Sequence, residues 1–81
     1  MNIRVLLFAS LADLAGTREI NLSSGGFTDV DSIFGKLAGD FPSLQARRSS
    51  VLVALNSEFA TLDSPVKDGD EVAFFPPVSG G

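Results

Sequence analysis

The 81-residue sequence predicts an α+β fold, a mixed sheet of four to five strands wrapped on one main helix. One segment, Val30 to Phe41, repeats apolar residues at helical spacing. Several others alternate at strand spacing, before and after it. A single amphipathic helix has one stripe to bury, and one sheet face is what buries it.

Asn2 to Phe8 reads as the first strand, with Ile3, Val5 and Leu7 on one face and Arg4, Leu6 and Phe8 on the other. Ser10 to Ala15 follows as a short extra helix, with Ser10 as its cap and Gly16 as its stop. Thr17 to Leu22 alternates again and places Arg18, Ile20 and Leu22 together. Ser23-Ser24-Gly25-Gly26 is a loop by composition. The main helix carries Val30, Ile33, Phe34, Leu37, Ala38 and Phe41 on one stripe. Thr28 with Asp31 three residues on is the expected capping pair, and Pro42 the expected stop. Gly35 and Gly39 lie off the stripe and weaken the helix by roughly 1 kcal/mol each relative to Ala.

Val51 to Asn56 is the third strand, Asn56-Ser57 a tight turn, Phe59 to Leu62 a short fourth strand, and Glu71 to Phe75 the last. The last strand returns to the middle of the sheet after the helix crossover, so first and last strands pair in parallel at the centre. This is the β-grasp, or ubiquitin-like, arrangement. Residues 1–75 form one expected domain, and residues 76–81 an extended, flexible C-terminal tail ending in Gly-Gly.

Composition narrows the chemistry. The chain has no Cys and no His, which removes thiolate nucleophiles, thiolate metal sites, and the commonest general base and metal ligand. No metal site and no bound cofactor are expected. The net charge of −4 and a single basic pair, Arg47-Arg48, argue against nucleic acid. No apolar run reaches membrane-spanning length. Residues 3–16 imitate a signal peptide, but Asp13 interrupts the run, and the cytoplasm is the expected compartment.

Two features point to function. The face turned away from the helix should be polar, yet it offers Leu6, Phe8, Leu52, Ala54, Ala73 and Phe75, with Phe59 nearby. A contiguous apolar patch on a small domain marks a partner surface, unless loops cover it, and few residues remain to do so. The second feature is the tail, Pro76-Pro77-Val78-Ser79-Gly80-Gly81. The prolines cannot donate to a sheet ladder and favour an extended conformation, in which six residues reach roughly 19 Å. Val78 is one apolar grip, and Gly80-Gly81 are thin enough to thread a narrow channel. A frayed terminus is the alternative for a Gly-rich end.

The ending Asp68-Gly69-Asp70-Glu71-Val72-Ala73-Phe74-Phe75-Pro76-Pro77-Val78-Ser79-Gly80-Gly81 resembles that of the molybdopterin synthase small subunits, a family of ubiquitin-like sulfur carriers. Val5-Leu6-Leu7-Phe8-Ala9, Leu14-Ala15-Gly16-Thr17 and Val53-Ala54-Leu55-Asn56 support the likeness; residues 23–50 share only the pattern. The double proline sets this ending apart from those of related thiamine-pathway carriers.

The resemblance implies a chemistry carried by the terminal carboxylate of Gly81 rather than by any side chain. An adenylyltransferase of the ubiquitin-activating type uses ATP to form the C-terminal glycyl adenylate. A persulfide donor then supplies sulfur, leaving a thiocarboxylate. The tail enters the large synthase subunit and sulfur passes to a pyranopterin precursor for the dithiolene of molybdenum cofactor. Such complexes are heterotetramers, in which the small chain is a protein co-substrate and the large subunit supplies acid–base groups. Family interface positions fall on Phe8, Phe59 and Phe75. The alternatives are a sulfur carrier for thiamine or tRNA thiolation, a ubiquitin-like protein modifier, or an interaction domain without tail chemistry.

Overall fold

A computed structural model describes residues 2–23 and 25–77. Among the described residues, five strands and two α-helices run in the order β1 (Ile3–Leu7), α1 (Ser10–Ala15), β2 (Glu19–Leu22), α2 (Val30–Asp40), a 3-10 helix (Pro42–Arg47), β3 (Leu52–Leu55), β4 (Glu58–Ala60) and β5 (Glu71–Phe75). The strands form one sheet in the order β2-β1-β5-β3-β4. β1 and β5 pair in parallel, and every other pairing is antiparallel. This is the expected β-grasp sheet with its first and last strands adjacent.

Alternation decides which side of the sheet is buried. Ile3, Val5 and Leu7 of β1, Val53 of β3, and Val72 and Phe74 of β5 all point to α2. The helix answers with Val30, Ile33, Phe34, Leu37 and Ala38, all buried. Phe34 and Phe74 meet edge to face, their ring centroids 5.2 Å apart, a geometry that suits the aromatic quadrupoles. Phe41, expected on the stripe, is half-buried at the helix C-cap.

The structure moves several boundaries. The N-cap of α2 is Asp29, one residue beyond Thr28. Its carboxylate accepts from the Ser32 backbone N–H at 2.8 Å, and Ser32 completes the capping box in place of Asp31. The cause is tertiary: Val66 N–H donates to the Thr28 carbonyl, and Val30 and Asp31 N–H donate to the Ser64 and Leu62 carbonyls. Those contacts hold Thr28 in an extended connection and leave Asp31 to pair with Arg48. Ser10 is the first helical residue of α1, and the N-cap position falls on Ala9, which has no capping side chain. Gly16 stops α1 in the left-handed region, as expected.

Pro42 ends α2 but opens the 3-10 helix, where fixed φ and a missing N–H suit the first turn. That segment inserts Leu44 fully into the core. The second strand is shorter than expected, and Arg18 is exposed, apart from half-buried Ile20 and buried Leu22. The fourth strand ends at Ala60, because Thr61 N–H turns to the Ser64 hydroxyl. Gly35 and Gly39 are exposed on α2 with open space where a Cβ would stand, so packing does not require glycine at either position.

Candidate functional site

The sheet register builds the apolar face strand by strand. On the side away from α2, Leu6 stands opposite Ala73, Ala73 opposite Ala54, and Ala54 opposite Phe59. A second row runs through Phe75 and Leu52. Phe8 follows β1 and is tied to β5 by its N–H donating to the Phe74 carbonyl at 3.2 Å. Its ring lies on that of Phe75, centroids 4.5 Å apart and planes within 10°.

The two central alanines are too short to fill the space between the bulky walls. They floor a depression of about 310 Å³, walled by Leu6, Phe8 and Phe75 on one side and Phe59 on the other, with Ser57 and Glu71 at its edge. No described loop crosses it. Phe59 is 93% exposed and Phe8 41%. The structure thus brings Leu6, Phe8, Phe59 and Phe75 onto one open surface.

Charge and turn geometry frame this face. Arg4 shares it with Leu6 and binds Glu19 on β2 (Nε to Oε2, 3.0 Å) and Glu71 on β5 (Nη1 to Oε2, 3.3 Å). The hydrogen bond from Arg4 holds the Glu19 carboxyl below its usual range. This trio joins three adjacent strands whose order only the folded sheet sets, and sequence reading missed it. Asn56 and Ser57 both adopt positive φ, 51° and 71°, in the two-residue turn between β3 and β4. Asn56 donates to Asp70 at 3.0 Å and accepts from the Glu71 N–H at 2.9 Å. Asp70, 5% exposed, also accepts from the Lys67 N–H. The Asn56 hydrogen bond, then the Lys67 one, keeps the Asp70 carboxyl below its ordinary value. This clamp fixes the start of β5, and hence where Phe75 arrives.

Beyond Phe75, Pro76 is half-buried and Pro77 exposed, and neither belongs to a strand. Val78, Ser79, Gly80 and Gly81 lie outside the described residues, so the tail chemistry expected of Gly81 has no geometry here. Among the described residues, no group of three or more carboxylates, His or Cys is placed to hold a metal ion. No described helix is long and apolar enough to cross a membrane.

Comparison with known proteins places this surface in a wider setting. The sequence profile of the ThiS family matches residues 5–81. The molybdopterin synthase sulfur carrier subunit of Haemophilus influenzae is 41% identical, over 98% of this chain and 99% of that protein. The protein of the same name from Arabidopsis thaliana is 38% identical, over 100% of this chain and 84% of its own. Small archaeal modifier protein 1 of Haloferax volcanii is similar in structure, with a TM-score of 0.85 at 35% identity over the whole of both chains.

Proposed function

The chain belongs to the ThiS family, and we propose that it is the sulfur-carrier subunit of a molybdopterin synthase. The observation that carries this reading is the full-length similarity to proteins of that name, up to 41% identical. The tail and the apolar face then take complementary roles. The face docks on a larger subunit, with the Phe8–Phe75 stack and Phe59 as anchors. Pro76 and Pro77 start the tail outward, and Val78, Ser79 and Gly80 lead Gly81 into the partner's active site.

The Gly81 carboxylate is an anion at neutral pH, with a reference pKa of about 3.3–3.7, and resists nucleophiles. An activating enzyme joins it to AMP from ATP, releasing pyrophosphate and giving a mixed anhydride. The terminal sulfur of a persulfide donor displaces AMP and forms an acyl disulfide. A second thiol cleaves its S–S bond, releasing the thiocarboxylate and leaving the donor sulfur in a disulfide. Once bound in the large subunit, the thiocarboxylate sulfur displaces an oxygen substituent of the pyranopterin precursor. Water cleaves the resulting thioester and restores the Gly81 carboxylate, and acid–base groups of that subunit move the protons. Gly80 and Gly81 suit this path because a backbone without Cβ approaches a nucleotide or pterin closely. The chain brings sulfur and a docking surface, and no catalytic side chain.

Intact mass after incubation with the activating enzyme, ATP and sulfur donor tests the carrier role, and an oxygen-to-sulfur shift confined to Gly81 is expected. Mixing the product with large subunit and pterin precursor tests the pathway: absence of dithiolene product would rule out molybdopterin synthesis. The match to an archaeal modifier protein favours one second reading, conjugation through Gly81 to lysines of other proteins. A ladder of conjugates that disappears when Gly81 is deleted is the outcome that reading requires.

A further inference from the structure

The peptide turn between β1 and α1 holds an alanine where the backbone favours glycine. Ala9 has φ 52° and ψ −128°, the first central position of a type II′ turn. The Leu11 N–H donates to the Phe8 carbonyl at 3.1 Å and closes that turn. At these angles a Cβ crowds the backbone, a state that persists only where surrounding contacts over-determine it. The Phe8 N–H to Phe74 carbonyl bond and the Asp13 N–H to Ala9 carbonyl bond do so here.

The Ala9 methyl gains nothing visible in return. The residue is exposed and stands outside the packed core. It lines a second depression, of about 390 Å³, whose walls include Leu6, Phe8, Ala12, Asp13, Arg18 and Glu19. Leu6 and Phe8 also wall the depression over Ala54 and Ala73, so they form a ridge between two hollows. Hydrogen bonds of the chain itself hold this strained turn, and the exposed methyl it carries stands available to a partner.

We infer that Ala9 is a specificity-determining contact residue, and that the docking face continues past Phe8, across Ala9, onto α1. The occupant is the same large subunit that receives the Phe8–Phe75 stack, because the ridge is shared and one surface spans both hollows. The inference therefore rests on the carrier reading given above. The partner segment seated there is apolar against Phe8 and Ala9 and carries a basic group only against Asp13, because Glu19 is already held by Arg4 and Arg18 lines the same hollow.

The test compares Ala9→Gly, Asp13→Arg and Phe75→Ala by thermal unfolding and by calorimetric titration with the purified large subunit. Ala9→Gly relieves the turn and is expected to raise the midpoint by about 5 °C. It removes one methyl from the complex and is expected to weaken binding about fourfold. Stability and affinity then move in opposite directions, which a purely structural role for Ala9 does not produce. Asp13→Arg is expected to weaken binding while the chain stays folded. If Phe75→Ala weakens binding but Ala9→Gly and Asp13→Arg leave it unchanged, the face stops at Phe8 and the inference fails while the carrier reading stands. If none of the three affects binding, the docking face itself is misassigned. A lower midpoint for Ala9→Gly overturns the premise of strain.

Discussion

Phe75 ends the central strand and carries two contacts at once, the stack on Phe8 and the wall of the alanine-floored depression. Half-buried, it contributes less to the core than Phe74, which is fully buried behind it. Phe75→Ala is therefore expected to weaken partner binding by roughly 1–3 kcal/mol and to change folding little. Titration calorimetry set beside a melting curve checks both parts, and a large fall in midpoint with unchanged affinity would contradict the assignment. Asp70 has the opposite character, buried and structural. Asp70→Asn removes one charged acceptor from the clamp, and a loss of about 1–2 kcal/mol in urea unfolding at neutral pH is expected. Because its carboxyl sits below the ordinary value of 3.8, the clamp contributes fully above that value. Its contribution is lost as pH falls through the lower folded value, so Asp70→Asn should flatten the acid limb of stability below about pH 4. An acid limb as steep as that of the unaltered chain would show that other carboxylates set it.

At the scale of elements, local signals were legible where one residue's neighbours in sequence are also its neighbours in space. Val72 and Phe74 against Ala73 and Phe75 gave β5 its faces, and the Val30 to Ala38 stripe gave α2 its buried side. Asn56-Ser57 gave the hairpin turn. Signals failed where a distant segment intervened. The capping box shifted to Asp29 and Ser32 because residues 62–66 bind the chain just ahead of the helix. Asp29→Ala is expected to cost about 1 kcal/mol, read by chemical denaturation, while Thr28→Ala costs far less. Equal losses would return the cap to Thr28. Pro42 read as a terminator hid the 3-10 helix, although Leu44 within it is as buried as any residue of α2. The apolar face was legible in the sequence because alternation alone exposes it. The Arg4–Glu19–Glu71 trio was not, since it needs β2, β1 and β5 side by side.

For the whole molecule, the carrier reading divides the labour between a folded body and a terminus. Deleting Gly80-Gly81 is expected to leave the melting midpoint unchanged and to abolish dithiolene formation in the reconstituted synthase. A truncated chain that still yields product would end the assignment of chemistry to Gly81. The body is organised around the parallel pair of β1 and β5, in which Arg4 stands by Glu71 and Leu7 by Phe74. That arrangement has a mechanical consequence. A pull on the C-terminal end of β5, resisted at the N-terminal end of β1, drives the two strands along one another. The load then falls on their hydrogen bonds together, in shear, whereas an antiparallel hairpin pulled at its open end unzips one bond at a time. A tail leaving β5 is thereby anchored in the most force-resistant direction of the sheet. Force applied between that tail and the N-terminal end of β1 must break the central pairing as a whole.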